Sequence, residues 1–446
     1  MSDWLKAPFI LAGFLAFAPL LGLALRGRRL WQQWTLGLMV FMTSWHINKL
    51  TLVLGSIEWY RGHTKGYEAS LITVLALALL IAARLERRPD FAWLPRGAGL
   101  WLLYCGVSLL SILAAPATDY VLMAAWRFGS AVLVFSAAWN TLREETDLEF
   151  LLRAVAFTLV VQAGVVLKLK YLDGQYQVRG WFEHQNALAM WAYSLGLPLL
   201  AVAMSEAGKV TARWAAAGFA ATAIIVQGSL SRAALAAFAA GVVAVVAAGL
   251  WERPTARRIR FVLALGGLGF LGLIAAADTL IARFNDQGNQ ASAETRDLMI
   301  LASQAMLHAS PVGVGWNNFG LTINAPFPYG EVIDDWERAR GHRVDETYAK
   351  GIVESHYWLL LAETGWGGWA TYLLFAGVTA WWCFRCARHW AGTPARALLT
   401  GVLVGLLLLY AHSTLERVLT QTKNLAMWLI VLGWVAKFEH WRRARP

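Results

Sequence analysis

The segment ESHYWLLLAE, from Glu354 to Glu363, places ionisable groups at the start of an otherwise apolar stretch. His356 can exchange a proton near neutral pH. Glu363 follows seven residues later, about two helical turns away and on nearly the same face. Ionisable groups persist at such positions mainly where they pair or line a polar cavity. His356 is therefore a candidate proton acceptor, although a helix N-terminal histidine bonded to backbone fits the same pattern, and Glu363 fits a packing role better.

Basic and polar groups interrupt other apolar stretches as well. The segment SLSR contributes Ser231 and Arg232, and the segment ETRD contributes Arg296. The connection KLKYLDGQYQVRGWFEHQN contributes Lys168, Arg179, His184 and Asn186. Guanidinium groups bind phosphate oxygens in a planar, two-point way. The combined set predicts an anion site beside a proton acceptor.

Each of these residues also has a simpler structural interpretation. Arg232 could extend its head group to the membrane interface, and Arg296 could pair with a carboxylate on its own helix. His184 and Asn186 could cap the helix that follows them. Both interpretations stay open at this stage.

The elements that position these residues are apolar helices. Of 446 residues, 58% are hydrophobic and 15% are charged, and the mean hydropathy is +0.48. An ordinary soluble protein needs more polar surface than this. Apolar runs long enough to cross about 30 Å of hydrocarbon recur along the chain. We predict an all-α polytopic membrane protein with about twelve transmembrane helices, the first of which, at 7–25, either crosses fully or re-enters.

The net charge of +11 reflects topology and does not indicate nucleic acid. Arginines cluster in short connections such as ARLERRPD and WERPTARRIR, and the positive-inside rule places these in the cytoplasm. The remaining connections then lie outside. One of them, 280–355, is long enough to fold by itself and carries ten acidic and six basic residues. The predicted organisation is a helical bundle over 1–279, a periplasmic loop domain over 280–355 and C-terminal transmembrane helices over 356–446.

The sequence offers little for a metal. Cys383 and Cys386 form a lone CxxC, whereas zinc needs about four ligands. The outer connections contain no Asp-rich motif. No metal and no other cofactor is predicted, and the partners expected are membrane lipids and an anionic lipid.

Four motifs in this order resemble the superfamily of O-antigen ligases and polymerases, which are bacterial envelope glycosyltransferases. They are HQNALA from His184, SLSRAALAAF from Ser229, ETRDLM with SPVGVGWNNFG between Glu294 and Gly320, and SHYWLLLAETGWGG from Ser355. Together they span about half of the chain. The resemblance implies a GT-C-like bundle in the inner membrane with its active site on the periplasmic side.

The resemblance also implies a reaction. It is the metal-independent, inverting transfer of a glycan from undecaprenyl pyrophosphate, with Arg232 and Arg296 on the pyrophosphate and His356 on the acceptor hydroxyl. The length and the single large loop are more similar to the ligase, which transfers O-antigen to lipid A-core in lipopolysaccharide maturation. An O-antigen polymerase or a protein O-oligosaccharyltransferase of the same superfamily is the alternative. A flippase for lipid-linked sugars is the alternative of another class.

Overall fold

The computed structural model describes residues 3–45, 51–284, 288–341 and 350–444. This part of the chain is a bundle of α-helices with one antiparallel two-stranded sheet. The strands are β1, Thr51–Leu54, and β2, Tyr67–Ser70, with Thr51 opposite Ser70. The helices before the sheet are α1 Asp3–Ala12, α2 Ala18–Leu25 and α3 Arg29–Met42.

The helices that follow the sheet up to the large connection are α4 Leu71–Leu85, α5 Ala98–Leu109, α6 Thr118–Ser130, α7 Val132–Thr141, α8 Asp147–Leu167, α9 Gln185–Met204, α10 Lys209–Ser229, α11 Arg232–Glu252 and α12 Ala256–Phe284. The later helices are α13 Gly288–Ala309, α14 Phe319–Thr322, α15 Glu331–Ala339, α16 His356–His389, α17 Pro394–His412 and α18 Thr422–Ala444.

Seven helical segments of the described chain are long and apolar enough to cross a membrane. They are Lys6–Leu25, Thr118–Thr141, Asp147–Leu172, Gln185–Met204, Lys209–Ser229, Arg232–Glu252 and Pro394–His412. The prediction of a helical membrane protein is confirmed at this level. The central helix is α9, which is apolar on all sides and almost completely buried. A Cβ at its Gly196 would lie 2.3 Å from the Thr222 hydroxyl of α10, so glycine permits this close approach.

The apolar run over 34–54 predicts one continuous crossing, and this prediction is wrong in the second half of the run. Helix α3 ends at Met42, and Thr51–Leu54 forms strand β1. Short apolar runs rich in β-branched residues do not reveal by periodicity whether they form helix or strand. Here Thr51–Leu54 pairs with β2 and is therefore a strand.

The first apolar segment runs the full length of the bundle. Helices α1 and α2 are joined by the π-helical turn Gly13–Phe17 without a break. At one end Lys6 donates to the Val53 carbonyl at 3.1 Å, and just after the other end the Gly27 amide donates to Glu86 at 2.9 Å. The segment Lys6–Leu25 is therefore long and apolar enough for the full crossing.

The two ends of the bundle differ in charge. At one end, here the basic end, ion pairs join the arginine-rich connections: Arg29 with Asp147 at 2.6 Å, Arg143 with Glu86 at 2.8 Å and Arg396 with Glu252 at 3.3 Å. The opposite end, here the site end, is formed by 51–70, 173–184, 228–232, 413–421 and helices α13 to α15. The candidate residues from the sequence lie at the site end.

Helices α13, α14 and α15 form a lobe with its own small apolar core. Met306, Phe319 and Ile333 are buried there against Leu359 of α16. Helix α12 continues beyond 279 to Phe284, and residues 285–287 and 342–349 of the predicted loop domain lie outside the described chain. The lobe covers the side of the bundle where α16 begins.

Candidate functional site

A polar cavity of about 350 Å³ lies at the site end. Its walls come from the β1–β2 segment, from α6, from the connection before α9 and from the segment between α17 and α18. Four basic and two acidic side chains line it. They are Lys65, Arg127, Arg417, Lys423, Glu68 and Glu183. The cavity therefore carries an excess of positive charge.

Arg127 builds one wall of the cavity. Its guanidinium donates to the carbonyls of His63 and Thr420, each at 2.5 Å, and to the Thr422 hydroxyl at 2.8 Å. It also lies 3.5 Å from the Glu68 carboxylate. A charge in an apolar helix is stable only when it is satisfied in this way. Arg127 thus fixes the β1–β2 segment against the start of α18.

Arg417 lines the same cavity and is half-buried. Its Nε–H is buried and donates no hydrogen bond, and its guanidinium forms no ion pair among the described residues. Burial lowers the pKa of Arg417, and the carboxylates of Glu354, Glu416 and Glu183 act in the opposite direction. A buried N–H group that lacks an acceptor is costly. Arg417 is therefore a donor available to an anion in the cavity.

Lys423 is the next basic group of the lining. Its ammonium donates to the Trp181 carbonyl and lies 4.9 Å from the centre of the Phe182 ring. An ammonium carries three N–H donors. Lys423 can therefore keep these contacts and still bind an anion.

Glu363 connects α16 to two other segments. Its Oε2 lies 3.0 Å from Nε2 of His63, whose side chain faces the cavity, and its Oε1 accepts the Phe319 amide at 3.2 Å. Both members of the Glu363–His63 pair are buried. These contacts agree with the packing role that the sequence analysis favours for Glu363.

The glycine-rich segment SPVGVGWNNFG docks on a break in α16. Gly365 interrupts the helix with φ 62° and ψ −166°, a conformation restricted to glycine. The Val314 amide donates to the Ala362 carbonyl at 2.8 Å, and the Trp366 amide donates to the Pro311 carbonyl at 3.2 Å. A Cβ on Gly313 would lie 2.3 Å from the Glu363 carbonyl. The motif is thus a backbone clamp that holds the start of α16.

Arg296 and Asn186 meet at a carboxylate that the sequence analysis missed. Arg296 pairs with Glu354 at 2.5 Å and with Oε1 of Glu416 at 3.4 Å. The Asn186 side-chain amide donates to the same Oε1. Burial raises the pKa of Glu416 to about 7, and Glu354 adds to the shift. Glu416 therefore titrates near neutral pH.

His356 begins α16 and is attached to the same connection. Its amide donates to the Ser413 carbonyl at 2.9 Å. The residue is 2% exposed, and its ring packs on Tyr372 with 4.9 Å between centroids. Neither ring nitrogen has a hydrogen-bond partner among the described residues. The imidazole thus has no hydrogen-bond partner among the described residues, and the backbone of His356 is joined to the connection that carries Glu416.

Arg232, Ser231 and Arg179 lie together at a neighbouring joint. The Val178 amide donates to the Gly228 carbonyl at 3.2 Å, which brings Arg179 to the turn between α10 and α11. Ser231 caps α11 by accepting the Ala234 amide at 3.4 Å. Arg232 is half-buried and Arg179 is exposed. No hydrogen bond or ion pair within the described chain joins either arginine to Arg296 or His356.

Two further predicted residues have local partners. His184 caps α9, with Nδ1 accepting the Asn186 amide at 3.3 Å, as the capping interpretation predicts. Lys168 pairs with Asp173 at 2.7 Å on the surface, away from the cavity. Lys168 is not part of the cavity lining, whereas His184 directly follows the lining residue Glu183 and interacts electrostatically with the lining residue Arg417.

The sequence analysis missed His63, Arg127, Glu416, Arg417 and Lys423. Arg127 carried a usable signal, because a charge inside a predicted apolar span marks a polar site. The connections EWYRGHTKG and STLERVLTQTK carried another, because each places charges between two spans on the same side as His356.

Within the described residues, no three His, Cys, Asp or Glu side chains come together as metal ligands. In comparisons with known proteins, no protein-family model matches the chain and no curated protein matches it.

Proposed function

We propose that the protein is a membrane glycosyltransferase that moves a glycan from undecaprenyl pyrophosphate to an acceptor hydroxyl. The observation that carries this proposal is the polar cavity lined by the half-buried Arg417, whose Nε–H has no acceptor among the described residues. A cavity of this size with excess positive charge suits a compact dianion such as pyrophosphate. The motifs that resemble O-antigen ligases surround the same end of the bundle.

The pyrophosphate would be held by arginines from separate segments. Arg417 offers its guanidinium from the cavity, and Arg232, which has no ion pair among the described residues, offers its guanidinium from the start of α11. Arg296 completes the set once it leaves its carboxylate partners. Planar guanidinium forks match phosphate oxygens in two-point contacts. Positive charges held in place around a negatively charged leaving group stabilise the transition state. This stabilisation accounts for much of the rate acceleration in such reactions.

The transfer itself is a displacement at the anomeric carbon. A bond forms between the acceptor oxygen and this carbon, while the bond from the carbon to the pyrophosphate oxygen breaks and its electron pair stays on the pyrophosphate. His356 takes the proton of the acceptor hydroxyl, since its ring nitrogens have no hydrogen-bond partner among the described residues. Attack opposite the leaving group inverts the anomeric configuration. The arginines take the role that a divalent cation has in other transferases, so EDTA should leave the activity intact.

The charge distribution supports an orientation for this reaction. By the positive-inside rule the basic end would face the cytoplasm and the site end the periplasm of a bacterial inner membrane. The seven apolar segments, with α3, α4, α5, α12, α16 and α18, would then cross thirteen times. The donor's isoprenoid tail would lie in the outer leaflet.

The acceptor proposed is the lipid A-core saccharide, which makes the protein an O-antigen ligase. This choice is supported by the resemblance and by the single lobe of α13 to α15. Purified protein in detergent is mixed with undecaprenyl pyrophosphate-linked O-antigen and one of three acceptors: lipid A-core, a second lipid-linked repeat or a pilin-like peptide. Glycosylated lipid A-core is the expected product. Absence of any product would overturn the proposal and favour a transporter, which needs a sealed membrane.

A further inference from the structure

Arg296 is shared by two carboxylates in the ligand-free protein. Its Nε lies 2.5 Å from Glu354 and its Nη2 lies 3.4 Å from Glu416. Two negative groups therefore already occupy the guanidinium that the proposed function assigns to pyrophosphate. For pyrophosphate to bind, at least one of the carboxylates has to give way.

Of the two carboxylates, Glu416 is the one that we expect to be protonated when pyrophosphate binds. Its side chain is 9% exposed, whereas that of Glu354 is 44% exposed. Oε1 of Glu416 accepts both Asn186 and Arg296, and Oε2 accepts no hydrogen bond among the described residues. A proton on Oε2 would therefore leave the bond from Asn186 in place. The pKa of Glu416, raised to about 7 by burial, puts this step within the neutral range.

The charged groups around Glu416 come from five parts of the fold. Arg296 lies on α13, Glu354 precedes α16, Arg417 follows in the same segment, His184 caps α9 and His412 ends α17. The two arginines and Asn186 favour the charged form of Glu416, while Glu354 and burial oppose it. Arg296 also acts on the two histidines, where its positive charge lowers their pKa.

Pyrophosphate would disturb this balance in one direction. It brings negative charge next to Glu416 and draws Arg296 away from it, and both changes favour the protonated carboxyl group. Removal of a compensating cation from a buried carboxylate is also costly unless the carboxylate is neutralised. Proton uptake lowers that cost.

We propose that Glu416 is a positioning residue that controls Arg296: it takes up one proton when the donor's pyrophosphate binds, and this releases the guanidinium to the ligand. The inference rests on the proposed function and adds a pH-dependent donor affinity to it. A single linked proton weakens binding about tenfold for each pH unit above the pKa of the free protein.

The probe is a short-chain prenyl pyrophosphate-linked sugar, because its doubly esterified pyrophosphate does not titrate near pH 7. Calorimetry of the purified full-length protein is run at pH 6 and pH 8, each in two buffers that differ in ionisation enthalpy. The wild type is expected to bind about tenfold more weakly at pH 8 and to take up close to one proton there. Uptake near zero at pH 8 overturns the inference.

The decisive variant is Glu416→Gln, which resembles the protonated group and keeps an oxygen for Asn186. It is expected to bind within about twofold of the wild type at pH 6 and about tenfold more tightly than the wild type at pH 8. The matched control is Glu294→Gln, since Glu294 is an exposed carboxylate on α13 that pairs with Arg340 at 2.5 Å. This control should keep the wild-type pH dependence.

The outcomes separate the two proposals. A wild-type protein that does not bind the probe at pH 6 contradicts the proposed function. Equal wild-type affinity at pH 6 and pH 8, or an unchanged pH dependence in Glu416→Gln, contradicts only the role of Glu416. If the glutamine variant does not fold, the proton uptake of the wild type decides.

Discussion

Asn186, at the start of α9, donates a side-chain hydrogen bond to Oε1 of Glu416, which lies 230 residues later in the chain. The bond joins a motif that sequence analysis singled out to a segment that it left unassigned. Because the donor is neutral and the acceptor is a carboxylate, the bond favours the charged form of Glu416. Asn186 therefore lowers the pKa of Glu416, against the larger effect of burial.

Removal of this donor should shift the titration. Asn186→Ala is expected to raise the pKa of Glu416 above its value of about 7, by roughly one unit for a hydrogen bond to a charged group. The midpoint of the pH dependence of donor binding should rise with it. Asn324→Ala, which removes a comparable amide from the lobe, should not move the midpoint. A midpoint that stays in place in Asn186→Ala would show that the bond does not control Glu416.

The titration of Glu416 should also make the free energy of unfolding depend on pH. The pKa of Glu416 is raised from 4.5 to about 7 on folding. Between these values the unfolded chain loses the proton while the folded protein keeps it, so stability falls as pH rises, by about 3 kcal/mol in total. The thermal midpoint of Glu416→Gln minus that of the wild type should increase from pH 5 to pH 8. A constant difference would contradict the raised pKa.

His356 provides a test of the proton transfer. His356→Gln should lower the turnover number about 100- to 10,000-fold, because the proton acceptor is removed while the arginines remain. Donor affinity should stay within a few-fold of the wild type. His308→Gln changes an exposed histidine on α13 and serves as the control. Normal turnover in a folded His356→Gln protein would rule out this role.

Gly365 tests the backbone clamp. A Cβ at this position would lie 2.1 Å from the Pro311 carbonyl, and the φ of 62° with ψ of −166° adds about 1–3 kcal/mol of strain. Gly365→Ala should therefore lower the thermal midpoint by many degrees. Gly377→Ala lies further along α16 in open space and should be neutral or stabilising. Similar midpoints for the two variants would show that the clamp is not rigid.

The fold was predictable where apolar runs are long. Hydropathy alone finds α9, α10 and α11, because an apolar run of about 20 residues is typical of a membrane-spanning helix. It fails at Thr51–Leu54, since a run of four apolar residues does not distinguish strand from helix. The helical spacing of ETRDLMILASQAMLHA predicts a helix that starts at Glu294, whereas α13 begins at Gly288, because sequence signals place helix ends only approximately.

The site was predictable only in part. Arg296, Asn186 and His356 came from motifs, and the structure brings the first two together on Glu416. The cavity was not predictable, because its lining comes from segments far apart in the chain and no local pattern states which of them meet. Arg127 in particular contacts residues of the 63–68 and 420–422 segments.

The central claim is that unpaired arginines at the site end bind the donor's pyrophosphate. The most direct measurement is a cryo-electron microscopy structure of the full-length protein with undecaprenyl pyrophosphate. The account predicts pyrophosphate density in the cavity within hydrogen-bond distance of Arg417, with the prenyl chain between helices on the same side. Arg417→Gln should lose this density, whereas Arg338→Gln, an exposed change on α15, should keep it. Pyrophosphate bound at the basic end, or at the site end without contact to Arg417, Arg232 or Arg296, would contradict the account.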